Sequence, residues 1–141
     1  MTIADNDLFD ALKYRMRIDR VGNKYFRNHR GQPHRTDGPA IEYINGGKEW
    51  YQNGALHRED GPARLRPNGD QEWYQNGKPH RVGGPAIVRV KGTQQWWVNG
   101  QLHREDGPAI EWRRGGSQWW VNGRKLSKAQ FIQYTNLKTA P

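Results

Sequence analysis

The stretch WWVNGQLHREDGPA, residues 96–109, sets the architecture of the whole chain, because close copies of it return every 23 residues. Its last eleven residues, NGQLHREDGPA, correspond to NGALHREDGPA at residues 53–63 and to NGKPHRVGGPA at residues 76–86. A strict period of this length indicates an array in which one supersecondary unit is repeated and stacked on its neighbours.

Each unit carries the signals of a β-hairpin. After Gly107, residues 109–113 and 117–121 are predicted strands, and residues 114–116 form the turn between them. The equivalent turns of two earlier units contain Asn-Gly, which favours hairpins because both residues tolerate a positive φ. A second Asn-Gly then leads into a connector that ends in proline, which cannot donate to a sheet ladder. The sequence therefore predicts an all-β fold: an elongated, single-layer, twisted antiparallel sheet of about five stacked β-hairpins with short helical caps.

The two ends of the chain predict caps for this array. Residues 1–13 are interpreted as an N-terminal cap, residues 14–126 as the hairpin array, and residues 127–141 as a C-terminal helical cap and tail. The run SKAQ at residues 127–130 matches a capping box, which marks the start of a helix. Caps are expected because a linear array must cover its open ends.

The composition excludes several classes of protein. Only 33% of the 141 residues are hydrophobic and the formal net charge is +9, which is typical of disorder, but seven Trp and six Tyr supply large apolar surfaces. The absence of cysteine removes disulfides and thiolate metal sites. No apolar run reaches the length of a membrane span, and the first ten residues lack the pattern of an export signal. A cytoplasmic location is the default expectation.

The repeated His-Arg-x-Asp motif could supply acid-base chemistry, but its regular return favours a structural role. A catalytic site is one constellation around one substrate, whereas this motif recurs in four units and loses its acid in the third, where Gly83 stands. We expect Asp to cap a turn or pair with Arg, and His to bond to the backbone. Equivalent His residues in stacked hairpins lie about 9–10 Å apart, too far to share one zinc ion. We therefore predict no enzymatic activity, no cofactor and no metal site.

The residues assigned a structural role recur with the period of the repeat. They comprise the first Trp of each aromatic pair and the recurring positions of the connector motif: Trp50, Trp73, Trp96, Trp119, His34, His57, His80, His103, Arg35, Arg58, Arg81, Arg104, Asp37, Asp60 and Asp106.

Four pairs of adjacent aromatic residues provide the candidate recognition surface. The first Trp of each pair is predicted to form a buried ladder, and the second aromatic residue points to the opposite face. Two alternatives remain open: the connectors cover this second stripe, or part of it stays exposed for binding. Residues 109–141 hold six basic residues and one acidic residue, which indicates either plain surface charge or a site for an acidic partner. The candidate partner-binding residues are Tyr51, Tyr74, Trp97, Trp120, Arg113, Arg114, Arg124 and Lys125.

The unit W-[YW]-x-N-G-x-x-H-R-x-D-G-P-A resembles MORN repeats, which are also 23 residues long and consist of a hairpin plus a short glycine-containing connector. The resemblance covers roughly residues 14–126. The connector departs from the family pattern, because His-Arg-x-Asp-Gly-Pro-Ala replaces a compact Gly-x-Gly. This variant is similar to repeats in proteins of phages, large viruses and some bacteria. The resemblance implies a phage or prophage product that acts in the host cytoplasm, and it suggests phospholipid binding or scaffolding.

The predicted function is non-enzymatic protein binding, in which one face presents aromatic and Arg side chains to a partner protein. If the basic residues take part in binding, we expect that partner to be acidic. By analogy, that partner is a host or defence protein that the chain inhibits, as anti-CRISPR-type proteins do. One alternative is nucleic-acid binding, with Trp97 and Trp120 stacking on bases and Arg113, Arg114 and Arg124 contacting phosphates. Others are docking on an anionic membrane and homo-oligomerisation through the open ends of the sheet.

Overall fold

The computed structural model describes residues 14–141, so the cap predicted at residues 1–13 lies outside the described part of the chain. Within these residues one helix, α1, spans Lys128–Thr139. The strands are β1 (Arg15–Ile18), β2 (Lys24–Arg27), β3 (Ile41–Glu42), β4 (Lys48–Glu49), β5 (Tyr51–Gln52), β6 (Ala55–Leu56), β7 (Arg64–Leu65), β8 (Gln71–Glu72), β9 (Tyr74–Gln75), β10 (Lys78–Pro79), β11 (Ile87–Val88), β12 (Gln94–Gln95), β13 (Trp97–Val98), β14 (Gln101–Leu102), β15 (Ile110–Glu111), β16 (Ser117–Val121) and β17 (Arg124–Leu126).

Eleven strands in the described part of the chain form one antiparallel sheet, in the order β1-β2-β3-β4-β7-β8-β11-β12-β15-β16-β17. This order follows the chain, because five consecutive hairpins lie side by side: β1-β2, β3-β4, β7-β8, β11-β12 and β15-β16. Over residues 14–141 the two end strands do not pair with each other, so the sheet is open. The predicted all-β array of stacked hairpins is confirmed.

Each of three units also contains a second, smaller hairpin, in a segment that the sequence interpretation divided between the return strand and the connector. Strands β5-β6, β9-β10 and β13-β14 form separate two-stranded sheets across the Asn-Gly turns. In the first of these turns Asn53 has a φ of 48° and Gly54 a φ of 84°, the pair of positive values that a type I′ turn requires. The connectors are therefore only six residues long, from His to Pro, and we number them one to four: residues 34–39, 57–62, 80–85 and 103–108.

Strand register assigns the side chains to two faces of the sheet. Glu49 lies opposite Arg64, which lies opposite Glu72, so these three share a face. That face also carries the second residue of each aromatic pair, and we call it the aromatic face. The first Trp of each pair points to the other side, because successive side chains alternate along a strand. The Arg side chains of the connectors pack on that side, which we call the connector face.

The core is centred on alanines. The prediction that the first Trp of each pair forms a buried ladder is therefore wrong. The alanine that ends each Gly-Pro-Ala motif is 0% exposed. Its carbonyl oxygen accepts a hydrogen bond from the backbone N–H of the aromatic residue in the preceding unit, at 2.7 Å between Trp50 and Ala63. The first Trp of each pair is only half-buried, because a single-layer sheet covers each indole mainly from one side. The four buried alanines are Ala40, Ala63, Ala86 and Ala109.

The helix α1 covers the C-terminal end of the array and contacts β16 and β17. The Ser127 hydroxyl accepts a hydrogen bond from the backbone N–H of Gln130 at 3.1 Å, and the Gln130 side chain accepts one from the N–H of Ser127 at 2.8 Å. This is the capping box that the sequence predicts. Phe131 is the buried residue of the helix.

Candidate binding surfaces

The histidine of every connector bonds to the second hairpin turn of the following unit. Its Nδ1 accepts a hydrogen bond from the backbone N–H of an asparagine 19 residues further along the chain. An accepting Nδ1 carries no proton, so the imidazole proton sits on Nε2. Each histidine therefore holds two consecutive units in register. The bonds are His34 with Asn53, His57 with Asn76, His80 with Asn99 and His103 with Asn122, at 3.0–3.1 Å.

The arginine of every connector lies between an aromatic ring and a glycine. The Cζ atom of Arg58 is 3.9 Å from the centroid of the Trp50 ring, and its Nη1 donates to the carbonyl oxygen of Pro62 at 3.1 Å. A Cβ atom on Gly61 would lie 2.9 Å from that Cζ, so glycine leaves the room that the guanidinium needs. The other units repeat the stacking at 3.8–3.9 Å: Arg35 on Phe26, Arg81 on Trp73 and Arg104 on Trp96.

The aspartate of the motif pairs with the arginine two residues before it. Nε of Arg104 donates to Oδ1 of Asp106 at 2.8 Å, and this hydrogen bond holds the pKa of Asp106 below its ordinary value. The carboxylates stay exposed while the guanidinium groups are half-buried. The motif residues thus contact their own unit or the next one rather than a shared centre. The equivalent pairs are Arg35 with Asp37 at 2.9 Å and Arg58 with Asp60 at 3.0 Å.

The second aromatic residues point away from the connector face, so the connectors do not cover them. The polar residue two positions earlier holds three of their side chains in place. The Tyr51 hydroxyl donates to Glu49 at 3.0 Å, and burial, together with the charge of Glu49, raises the pKa of Tyr51. Nε1 of Trp97 donates to the Gln95 side chain at 2.9 Å, and Trp120 repeats this bond with Gln118 at 3.0 Å. All four candidates, Tyr51, Tyr74, Trp97 and Trp120, are half-buried.

Sequence reasoning missed a cluster of ion pairs in the middle of the aromatic face. Glu72, whose side chain is 2% exposed, accepts hydrogen bonds from Arg64, Arg66 and Arg89 at 3.1, 3.1 and 2.6 Å. Burial alone would raise the pKa of Glu72, but the hydrogen bonds from Arg89 and Arg66 outweigh it and lower that pKa. Arg64 also binds Glu49 at 2.8 Å, and Arg89 also binds Asp70 at 3.4 Å. The charges in this part of the face are therefore neutralised within the protein.

The four basic candidates do not form one cluster. Arg113 and Arg114 lie in the turn between β15 and β16, whereas Arg124 and Lys125 lie in β17, beside the opposite end of β16. Lys125 pairs with Trp120 and shares its face, so the neighbouring Arg124 points to the other side. All four are exposed, and the ion pairs formed among residues 14–141 involve none of them.

Three tryptophans, Trp97, Trp112 and Trp120, lie on the C-terminal half of the aromatic face, which Lys125 shares. Trp112 is 40% exposed and takes the position that Arg66 and Arg89 hold in earlier units. A cavity of about 310 Å³ is lined by both Trp97 and Trp120. The C-terminal half of the aromatic face thus combines accessible indole surface with positive charge.

The connector face contains gaps between successive connectors. Cavities of about 650, 590 and 510 Å³ separate connectors one and two, two and three, and three and four. Each gap is lined by the Trp of its unit: Trp50, Trp73 and Trp96 in turn. The helix α1 stands where a fifth connector would follow.

No protein-family model matches this chain, and no curated protein matches it. The likeness to MORN repeats therefore stays a prediction that rests on the repeat itself. Within residues 14–141, no three His, Asp or Glu side chains are grouped closely enough to hold a metal ion. No helix in this range is long and apolar enough to cross a bilayer.

Proposed function

We propose that this chain is a non-enzymatic binding module that recognises a partner protein through the C-terminal half of its aromatic face. The contrast in charge along this face carries the proposal. In the middle of the face, three Arg side chains are neutralised by carboxylates. Further along, Gln95 and Gln118 stand where Glu49 and Glu72 stand in earlier units, so the positive charge of Lys125 meets no carboxylate at the corresponding positions.

The indoles of this surface support the proposal because they are already oriented. Trp97 and Trp120 are fixed by their hydrogen bonds to glutamine side chains, so binding immobilises few additional rotamers. Tryptophan and arginine are also the residues most enriched in binding hot spots. The surface fits a protein with an apolar centre and carboxylates around it. The phage-type resemblance makes a host or defence protein the first class of partner to seek.

Affinity capture from a lysate of the native host, with and without nuclease, tests the proposal. A protein partner should be retained in both arms and at 300 mM salt. The variant Trp112→Ser/Lys125→Glu should weaken capture at least tenfold, because it removes one exposed indole and reverses one charge. The control Val21→Ser/Arg20→Glu makes matching changes at exposed positions in the first turn of the array and should leave capture unchanged.

Two results would refute this function. Capture that is equal for both double variants would show that the C-terminal half of the aromatic face is not the site. Loss of every captured protein after nuclease treatment would show that nucleic acid carried the interaction. Thermal unfolding of each variant, followed by far-UV circular dichroism, establishes that the fold is intact.

A second candidate function, binding of single-stranded nucleic acid, is favoured by the cavity between Trp97 and Trp120. Stacking on an aromatic side chain contributes about 1–3 kcal/mol per base. Contacts from Arg113 or Arg114 to phosphates would make the affinity fall steeply between 50 and 200 mM salt, because counterions are released. A single-stranded oligonucleotide that shows no binding at 50 mM salt eliminates this candidate.

A further inference from the structure

We propose that the gaps between successive connectors bind a cationic, proline-rich peptide, one Lys or Arg side chain entering each gap. This site lies on the connector face, on the opposite side of the sheet from the aromatic face. It therefore does not depend on the proposed function, and the two can fail separately.

The charge that a ligand meets at the gaps is negative, although the four connectors together hold four arginines against five acidic residues. The Arg58 side chain is 24% exposed because it is stacked on Trp50, whereas its partner Asp60 is 87% exposed. Glu59, beside them, is 83% exposed. The guanidinium groups thus form the walls, and the carboxylates form the rim that faces solvent.

Contacts within the chain show that ammonium groups bind at the rim of a connector. Where a fifth connector would follow, α1 brings two lysines to the same elements. Nζ of Lys138 donates to Glu105 on the rim of connector four at 2.6 Å, and Nζ of Lys128 lies 6.0 Å from the centroid of the Trp119 ring. One ammonium group therefore binds the rim carboxylate at the last position of the array, and a second stands near the Trp that follows the last connector. The rim acid recurs earlier in the array as Glu59 of connector two.

The spacing of the gaps selects the conformation of the ligand. Successive connectors are two strands apart, which is about 9.4–9.8 Å. A polyproline II helix advances about 9.3 Å every three residues and returns each third side chain to the same side. An extended β-strand places residues i and i+3 on opposite sides, so it cannot fill consecutive gaps with every third residue. A Lys-x-x repeat in polyproline II conformation matches the array.

Connector three departs from the others and supplies an internal test. Val82, which is 82% exposed, stands where connectors two and four carry Glu59 and Glu105, and Gly83 replaces the aspartate. The rim is therefore interrupted at this one connector. The variant Val82→Glu restores an acid at an exposed position without touching the stacked arginine, and it should strengthen binding.

The test uses the full chain and two synthetic peptides of identical composition, titrated at 50 mM salt with tryptophan fluorescence and calorimetry. The in-phase peptide is four repeats of Lys-Pro-Pro, so that every third residue is a lysine. The second peptide also holds four lysines and eight prolines, but its successive lysines are alternately two and four residues apart. The in-phase peptide should bind at least tenfold more tightly. Glu59→Gln should weaken it about two- to fivefold, and Val82→Glu should strengthen it by a similar factor, as expected for exposed ion pairs. The matched control Val90→Glu, in the turn between β11 and β12, should change nothing.

Equal binding of the two peptides, or no binding of either, would overturn the proposal. So would a Val90→Glu effect as large as that of Val82→Glu, since it would reflect net charge alone. All three substituted side chains are exposed, so thermal unfolding should remain close to that of the unmodified protein.

Discussion

Replacing Glu72 with glutamine should destabilise the protein more than any surface substitution. The carboxylate is almost fully buried and accepts hydrogen bonds from three guanidinium groups at 2.6–3.1 Å. Glutamine keeps the size of the side chain but removes the charge that the three guanidinium groups share. Those groups are 23–46% exposed, and two of them keep a second carboxylate, Glu49 for Arg64 and Asp70 for Arg89. Losing hydrogen bonds to a charged group costs about 1.5–3 kcal/mol. At about 2–4 °C per kcal/mol, the melting temperature should fall by roughly 5–10 °C.

The same residue predicts a pH dependence with a defined sign. The pKa of Glu72 is lowered in the folded protein, because the hydrogen bonds from Arg89 and Arg66 outweigh the effect of burial. A carboxylate of this kind stabilises the fold fully above its unfolded pKa, near 4.5, and the stabilisation is lost as the pH falls through the lower folded value. The difference between the original protein and Glu72→Gln should therefore be complete at pH 7 and shrink below pH 4.5.

Urea unfolding followed by tryptophan fluorescence measures both effects, at pH 7 and at pH 3. Glu59→Gln is the matched control, because it makes the same chemical change on an exposed side chain, and it should alter the free energy of unfolding by less than about 0.5 kcal/mol. The reasoning is refuted if Glu72→Gln costs no more than this control at pH 7. It is also refuted if the difference between the two variants stays constant in acid.

Three further substitutions test the connectors and the cap, each by thermal and urea unfolding. Gly61→Ala places a Cβ 2.9 Å from Cζ of Arg58, so it should cost about 1–3 kcal/mol, and an Arg58→Ala background should abolish most of that cost. His57→Phe removes the acceptor for the N–H of Asn76 and should cost about 1 kcal/mol; a loss that abolishes folding would contradict the single-bond role. Ser127→Ala should cost about 1 kcal/mol through the lost helix cap, and Ser127→Asp should recover most of it.

The hairpin array was predictable because its signals are local. The period, the Asn-Gly turns and the proline at the end of each connector act over a few residues, and the described structure follows them. The second hairpin was missed because strands of two residues, such as β5 and β6, are too short to show an alternating pattern. The alanines were missed because a small residue gives no hydrophobic signal, although its backbone occupies the most buried place in each unit.

The candidate surfaces were harder to predict because they depend on partners distant in sequence. The ion pair of Glu72 with Arg89 joins residues 17 positions apart, and the equivalent acid changes to Gln95 in the next unit, so the repeat pattern hides the cluster. The basic residues Arg113 and Lys125 are close in sequence but lie toward opposite ends of β16, which the charge count alone does not show. The division of the aromatic pairs between two faces did follow from strand alternation.

The contacts between connectors and the following units also bear on how the length of such a protein changes. The bond from His57 reaches Asn76, and the backbone N–H of Arg58 donates to the carbonyl oxygen of Tyr74, so each connector is tied to the next unit by equivalent atoms. Excision of residues 64–86, or duplication of the same segment, would join equivalent positions and recreate every one of these bonds at the new junction. Recombination between the repeated DNA segments could therefore lengthen or shorten the array by one unit, about 10 Å, at a time. Each remaining unit would keep the same contacts with its neighbours. An insertion that is not a multiple of 23 residues would not join equivalent positions.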